Sequence, residues 1–219
     1  MGKDYGQFCG LSRAAAVLGE RWALMIVRDL TVGARRFTDL QAGLPGIPTA
    51  VLTVRLRELE DAGVVRRAAA PAPLRGVLYE LTPHGRDLQP VLDAMGRWGA
   101  AAMEAPRDSE VVTDASLAAA LRSAHTPGAV TGPLTFHVRS GEASAWAAVH
   151  DDEVVVGAGA PPRDADLTLD AGPQLRLLLA GDLTPDEALA SGGVAITGSR
   201  RHLDAFARAF HVPLAADPT

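Results

Sequence analysis

Lysine, cysteine and aromatic residues are all scarce in this chain of 219 residues, and each shortage excludes something. Lys3 is the only lysine among 21 basic residues, which we read as the codon bias of a high-G+C genome and not as function. Cys9 is the only cysteine, so no intrachain disulfide can form, which fits a reducing, cytoplasmic location. Aromatics make up 5%, so the core must be aliphatic and rich in alanine. No run approaches 18 uninterrupted apolar residues, so no membrane helix is expected. The first ten residues, MGKDYGQFCG, lack the apolar stretch of a signal peptide, and Gly6 stands where a myristoylation motif needs Ser or Thr.

Enzyme chemistry is also missing. The six histidines, His84, His125, His137, His150, His202 and His211, show no metal-ligand spacing. There is no nucleophile elbow and no P-loop, and Gly157-Ala-Gly159 runs into prolines instead of a helix. The acidic run Asp151-Asp-Glu153 reads as a solvated turn. We expect no catalysis, no cofactor and no metal.

What is present is a globular balance, 47% hydrophobic and 21% charged, long enough for two domains. The net charge of −5 hides an asymmetry. Residues 1–103 hold 13 Lys+Arg against 10 Asp+Glu, or +3; residues 104–219 hold 8 against 16, or −8. Only the first half suits an anionic polymer.

Periodicity predicts helices at Leu11–Leu18 and Glu20–Leu30, a short one opened by a capping box at Thr38, and a fourth from Pro48 to Gly63. In the fourth, Leu52, Leu56 and Leu59 form the core stripe, while Thr49, Ala50, Thr53 and Arg57 lie elsewhere. Val64–Arg67 and Val77–Leu81 read as a hairpin, and Thr82-Pro83 as the cap of a helix running to about Met103. That order is a winged helix-turn-helix over residues 1–104. Residues 105–113, with Pro106, read as a linker. Residues 114–219 mix strands with helices, including a Thr184-Pro-Asp-Glu187 cap, so the whole chain is α+β.

The fourth helix is the candidate reader of DNA. Pro48, Thr49, Ala50 and Thr53 would meet the major groove, with Arg55 and Arg57 on phosphate or guanine. Arg66, Arg67 and Arg75 sit on or beside the wing, and Arg35 and Arg36, with Thr38, sit at the entry to the third helix; these would hold flanking phosphates.

Cys9, Leu18-Gly-Glu-Arg-Trp22, Leu24-Met-Ile-Val-Arg28, Arg36-Phe37, Leu44-Pro-Gly-Ile47, Leu52-Thr-Val-Arg-Leu-Arg-Glu-Leu-Glu60, Gly63-Val64, Tyr79-Glu-Leu-Thr82, Gly85 and Trp98-Gly99 resemble the HxlR-type winged-helix regulators. The resemblance implies a homodimer on a pseudo-palindromic DNA operator, joined largely through its terminal helices. Many relatives carry a longer polar side chain where Ala50 stands, so an operator cannot be transferred. Cys9 aligns with a cysteine that some relatives use as a thiol sensor, with Arg13 one turn away as a source of positive charge.

Residues 113–212 resemble a sterol-carrier-protein-2-like (SCP2-like) domain through Ala165-Asp-Leu-Thr-Leu169, Leu177-Leu-Leu-Ala-Gly181, Thr184-Pro-Asp-Glu-Ala-Leu189 and Gly192-Gly-Val-Ala-Ile-Thr-Gly198. The resemblance implies a sheet with helices over one face and an apolar space between. Leu134, Phe136, Trp146, Val155, Leu167, Leu169, Leu175, Leu178, Leu179, Phe206 and Phe210 would line or plug it, holding a small hydrophobic ligand. The resulting expectation is a DNA-binding regulator, a repressor, whose affinity an apolar ligand modulates. The alternatives are a thiol-redox regulator through Cys9, and a lipid carrier whose winged helix is vestigial.

Overall fold

A computed structural model describes residues 5–73, 75–107 and 109–212. The chain divides into two compact units, residues 1–92 and 93–219.

The first unit opens with α1 (Gly10–Leu18) and α2 (Ala23–Val32). Then come α3 (Phe37–Gly43) and α4 (Thr49–Asp61). The hairpin β1 (Val65–Ala69) and β2 (Val77–Leu81) follows, antiparallel with Arg66 opposite Glu80 and Arg67 opposite Tyr79. Arg35 adds a one-residue third strand. Its N–H donates to Tyr79 O at 2.9 Å and its carbonyl accepts from Tyr79 N at 2.7 Å. The core is aliphatic, as the composition required: Ile26, Val27, Leu30, Leu40, Leu44, Leu52, Leu56, Leu59 and Leu81 interlock, with Trp22, Phe37 and Tyr79 on its margin. This is a winged helix-turn-helix.

Local ends differ from the sequence expectation where polar atoms compete for backbone groups. Helix α1 starts one residue earlier than expected, with Cys9 as its N-cap residue, and the Ser12 hydroxyl turns back to donate to Cys9 O at 2.8 Å. Helix α3 begins before Thr38: the Asp39 carboxylate accepts from Arg36 N at 3.1 Å, which makes Arg36 the cap residue. The expected single helix from Thr82 is two, α5 (Pro83–Arg86) and α6 (Gln89–Ala101). Thr82 does cap α5, accepting from Gly85 N at 3.0 Å.

The boundary between units falls inside α6, upstream of the expected 105–113 linker. Leu88 and Leu92 pack on the first core. Asp93 and Arg97 instead serve the second unit. Asp93 accepts from Arg122 Nε at 2.9 Å, and Arg97 Nη1 donates to Ser123 O at 3.1 Å. Helix α6 itself ends at Ala101, ahead of Pro106, and the end of a helix is a different thing from the end of a core. Asp108 of that segment and the stretch 213–219 lie outside the described residues.

The second unit begins with the rest of α6 and α7 (Asp114–Ala124), whose cap is Thr113. Then come β3 (Pro133–Ser140), β4 (Ala143–His150), β5 (Glu153–Ala158) and β6 (Leu167–Asp170). A 3-10 turn at Gly172–Gln174 leads to α8 (Leu175–Ala180), α9 (Pro185–Ala190), β7 (Ala195–Gly198) and α10 (Arg200–Ala209). Thr184 caps α9 as its sequence indicates, with Glu187 reaching back to Thr184 N at 2.9 Å. The sheet order is β5-β4-β3-β6-β7, antiparallel except between β3 and β6.

Strict alternation on β4, with Ala143, Ala145, Ala147 and Val149 buried, separates two faces. Helices α7 and α10 cover the face that carries Phe136 and Val138. Phe136, Phe206 and Phe210 meet there with ring centroids 4.9–5.6 Å apart. On the other face Trp146 lies flat over Gly157: a Cβ at Gly157 would come 2.3 Å from the indole.

Candidate nucleic-acid interface

Helix α4 starts after Pro48, whose fixed φ of −68° sets the extended cap conformation. Leu52, Leu56 and Leu59 are at most 1% exposed, so one face is locked into the core. The opposite face must then point outward, and Thr49, Ala50, Thr53, Val54 and Arg57 are all exposed. Thr49 Oγ1 accepts from Gln41 Nε2 of α3 at 2.6 Å. Thr53 Oγ1 donates to Thr49 O at 2.9 Å.

The arginines singled out in the sequence are not equivalent. Arg57 and Arg75 are exposed and make no ion pair among the described residues. Arg55 is the correction. Its side chain is 19% exposed and is held by Glu20 at 3.2 Å and by Glu58, so it braces α4 instead of facing outward. It falls between the core stripe and the exposed row, and the acids that claim it lie on α4 itself and on the segment before α2. On the wing, Arg66 pairs with Glu80 at 2.8 Å, and Arg67 with Glu60 at 3.0 Å while lying 5.5 Å over Tyr79. Both are more than half exposed. Such pairs contribute little and can be exchanged for phosphate.

Arg36 lies against the wing, its Nη1 2.8 Å from where a Gly76 Cβ would be. Arg35 is half-buried through its backbone ladder to Tyr79. Thr38 is exposed on α3, its hydroxyl 3.4 Å from Asp39 Oδ1. Sequence reasoning missed Gln41. It lies eight residues from Thr49 across the α3–α4 turn, a spacing that no helical period flags.

Cys9 is exposed at the N-terminus of α1. The backbone N–H groups of Ser12 and Leu11 pull its thiol pKa below the ordinary cysteine value. The helix end supplies that effect, and Arg13 does not.

The residues expected around an apolar ligand do not converge on one space. Leu134, Phe136, Leu167 and Leu169 share the helix-covered face by register, since Phe136 pairs with Ala147 and with Leu167. Phe206 and Phe210 pack onto them. On α8, Leu175 and Leu178 are buried and Leu179 is half-buried. Trp146 and Val155 lie on the opposite face, because their partners are His137 and Ala148. That face carries an open depression of about 360 Å³, lined by His137, Thr168 and the 160–165 segment. His137 donates to or accepts from Ser144 Oγ at 2.7 Å; partial burial, and then Arg139, push its pKa down.

Among the described residues no group of His, Cys, Asp and Glu is arranged to hold a metal, and no helix is long and apolar enough to cross a membrane.

The chain is similar in sequence to known helix-turn-helix proteins. The family profile described as HxlR-like helix-turn-helix matches residues 17–107. The HTH-type transcriptional regulator sll1512 of Synechocystis is 38% identical over 96 residues, which is 44% of this chain and 71% of the regulator. The HTH-type transcriptional regulator YvaP of Bacillus subtilis is 38% identical over 86 residues, 39% of this chain and 80% of that one. Among solved structures, the redox regulator HypR in its oxidized form is 32% identical, with a TM-score of 0.40 over 44% of this chain and 99% of its own. On identity shared over most of each curated relative's length, the chain belongs to the HxlR-like helix-turn-helix family of transcriptional regulators.

Proposed function

We propose that the protein is a homodimeric, cytoplasmic repressor that lays α4 in the major groove of a pseudo-palindromic operator. The observation that carries this is the exposed row Thr49, Ala50, Thr53 and Arg57, backed by leucines that cannot rotate away. Pro48 precedes that row, and Thr38, exposed on α3, with Arg35, Arg36, Arg66, Arg67 and Arg75 would supply flanking phosphate contacts. The dimer is supported by two helices with no buried residue, α1 and α6. Leu11 and, just before it, Phe8 are exposed at α1; Val91, Met95 and Trp98 repeat along α6, with Trp98 83% exposed. Large apolar side chains left in water at helical spacing need a partner surface. Repression needs only steric exclusion of the promoter.

The second unit, read as an SCP2-like domain over 114–219, modulates that affinity by binding a small apolar molecule. Support comes from the sheet covered by helices on the Phe136 face, where ligand entry would part the Phe136, Phe206 and Phe210 rings. The effect is a population shift between dimers of different operator affinity.

The test is fluorescence anisotropy of the full-length protein on DNA from its own upstream region, across a salt series. Tight binding that falls steeply with salt and is weakened by Arg57→Ala is expected. Binding no better than to random DNA, together with an empty genome-wide site selection, would overturn the proposal.

One observation favours a second reading for Cys9: an exposed thiol whose pKa is lowered by helix N–H groups reacts readily with electrophiles. If it is the sensor, Cys9→Ser abolishes the response to a quinone or peroxide and leaves basal DNA binding intact. An unchanged response removes that reading.

A further inference from the structure

The two threonines on the exposed face of α4 present opposite hydrogen-bonding character, and the reason is internal. A threonine hydroxyl has one hydrogen and two lone pairs. Thr49 Oγ1 already accepts from Gln41 Nε2 at 2.6 Å, so its hydrogen is free for an outside acceptor. Thr53 Oγ1 already gives its hydrogen to Thr49 O at 2.9 Å, so only lone pairs remain outward. That bond to the carbonyl four residues back is one of the two rotamers a helical threonine prefers. Ala50 between them has no polar atom with which to blur the distinction.

DNA answers these two characters with different groups. Phosphate oxygens accept and cannot donate. In the major groove the only donors are the amino groups of adenine N6 and cytosine N4. We propose that Thr49 is a phosphate anchor, positioned by Gln41, and that Thr53 is a base reader specific for an exocyclic amino group, selecting adenine or cytosine at one position of each half-site. This rests on α4 being the DNA-reading helix, as proposed above. It makes Thr53 a determinant of specificity and Thr49 one of affinity, a division that exposure and helical position alone do not make.

The experiment uses the full-length protein and a duplex library with a randomised centre. After selection, anisotropy on every single-base variant of the selected site compares wild type with Thr53→Val, Thr53→Ser, Thr49→Val and Arg57→Ala. Thr53→Val is expected to lose about three- to tenfold of preference at one adenine or cytosine per half-site and nothing elsewhere. Thr53→Ser keeps that preference, because serine can make the same bond to Thr49 O. Thr49→Val weakens binding to all sequences by a similar factor and moves no preference. The proposal is overturned if Thr53→Val shifts no base, if the base it affects is guanine or thymine, or if Thr49→Val changes base choice. Should Arg57→Ala weaken binding while Thr53→Val shifts no base, the hydroxyl assignment fails and the reader helix stands. If no variant alters binding, or selection enriches no sequence, the reader helix fails and takes this assignment with it.

Discussion

Asp29 is 2% exposed, and its carboxylate accepts from Arg28 Nε at 2.8 Å and Nη2 at 2.7 Å. Desolvation outweighs that pairing and raises its pKa above the ordinary aspartate value. Across that window the folded state binds more protons than the unfolded one. The stabilising contribution is therefore fully present below the unfolded pKa and is lost as pH rises through the folded one. Urea unfolding of wild type and Asp29→Asn over acidic to neutral pH should show the wild type losing stability relative to the variant with rising pH, then a constant difference. A difference that is flat throughout would contradict the burial argument.

A second residue-level prediction separates two arginines two positions apart. Arg55→Ala should cost about 1 kcal/mol of stability, since it removes packing and pairs with Glu20 and Glu58. It should leave the salt dependence of DNA binding unchanged. Arg57→Ala should do the reverse, lowering the slope of log affinity against log salt by about 1 with little change in unfolding. Matching profiles for the two variants would mean that both, or neither, contact DNA.

At the scale of elements, the apolar face of α6 predicts that Trp98→Glu weakens dimerisation by about thirtyfold or more, measured by sedimentation. A dimer of unchanged strength would place the interface elsewhere. In the second unit, Gly157→Ala should destabilise by about 1–3 kcal/mol, because its methyl would displace the Trp146 indole from the sheet. Near-UV circular dichroism would lose the Trp146 contribution, and a neutral result would mean that the indole is not seated there.

These elements also show what a sequence conveys. The Leu52, Leu56 and Leu59 stripe was legible because helical periodicity is a local property, and so was the Thr184 cap. The start of α3 was not, because an aspartate at the third position did the capping that a threonine was expected to do. The side assigned to Trp146 and Val155 was wrong because each strand's alternation was readable alone. Which residues of neighbouring strands share a face depends on register, which long-range pairing sets.

At the scale of the whole molecule, two compact units predict two unfolding transitions. The buried residues of the first core run from Ile26 to Leu81, with others between Val17 and Leu92 packed against them, whereas the Phe136, Phe206 and Phe210 cluster belongs to the second unit. Leu56→Ala should destabilise one calorimetric transition by about 2–5 kcal/mol and Phe206→Ala the other by about 3–5 kcal/mol. A single transition shifted by both variants would show the chain unfolding as one body.

The sequence by itself determined the winged helix-turn-helix, the leucine stripe of its fourth helix, its wing and the charge contrast between halves. All follow from local periodicity, capping and turn chemistry, or from counting. Tertiary structure decided which arginines are spent on internal acids, where one unit ends within a continuous helix, and which strand residues share a face. It also decided which threonine keeps a free hydrogen. Apart from the pairs Arg55–Glu58 and Thr53–Thr49 within α4, these depend on a partner far along the chain or across a turn, and no local pattern encodes them.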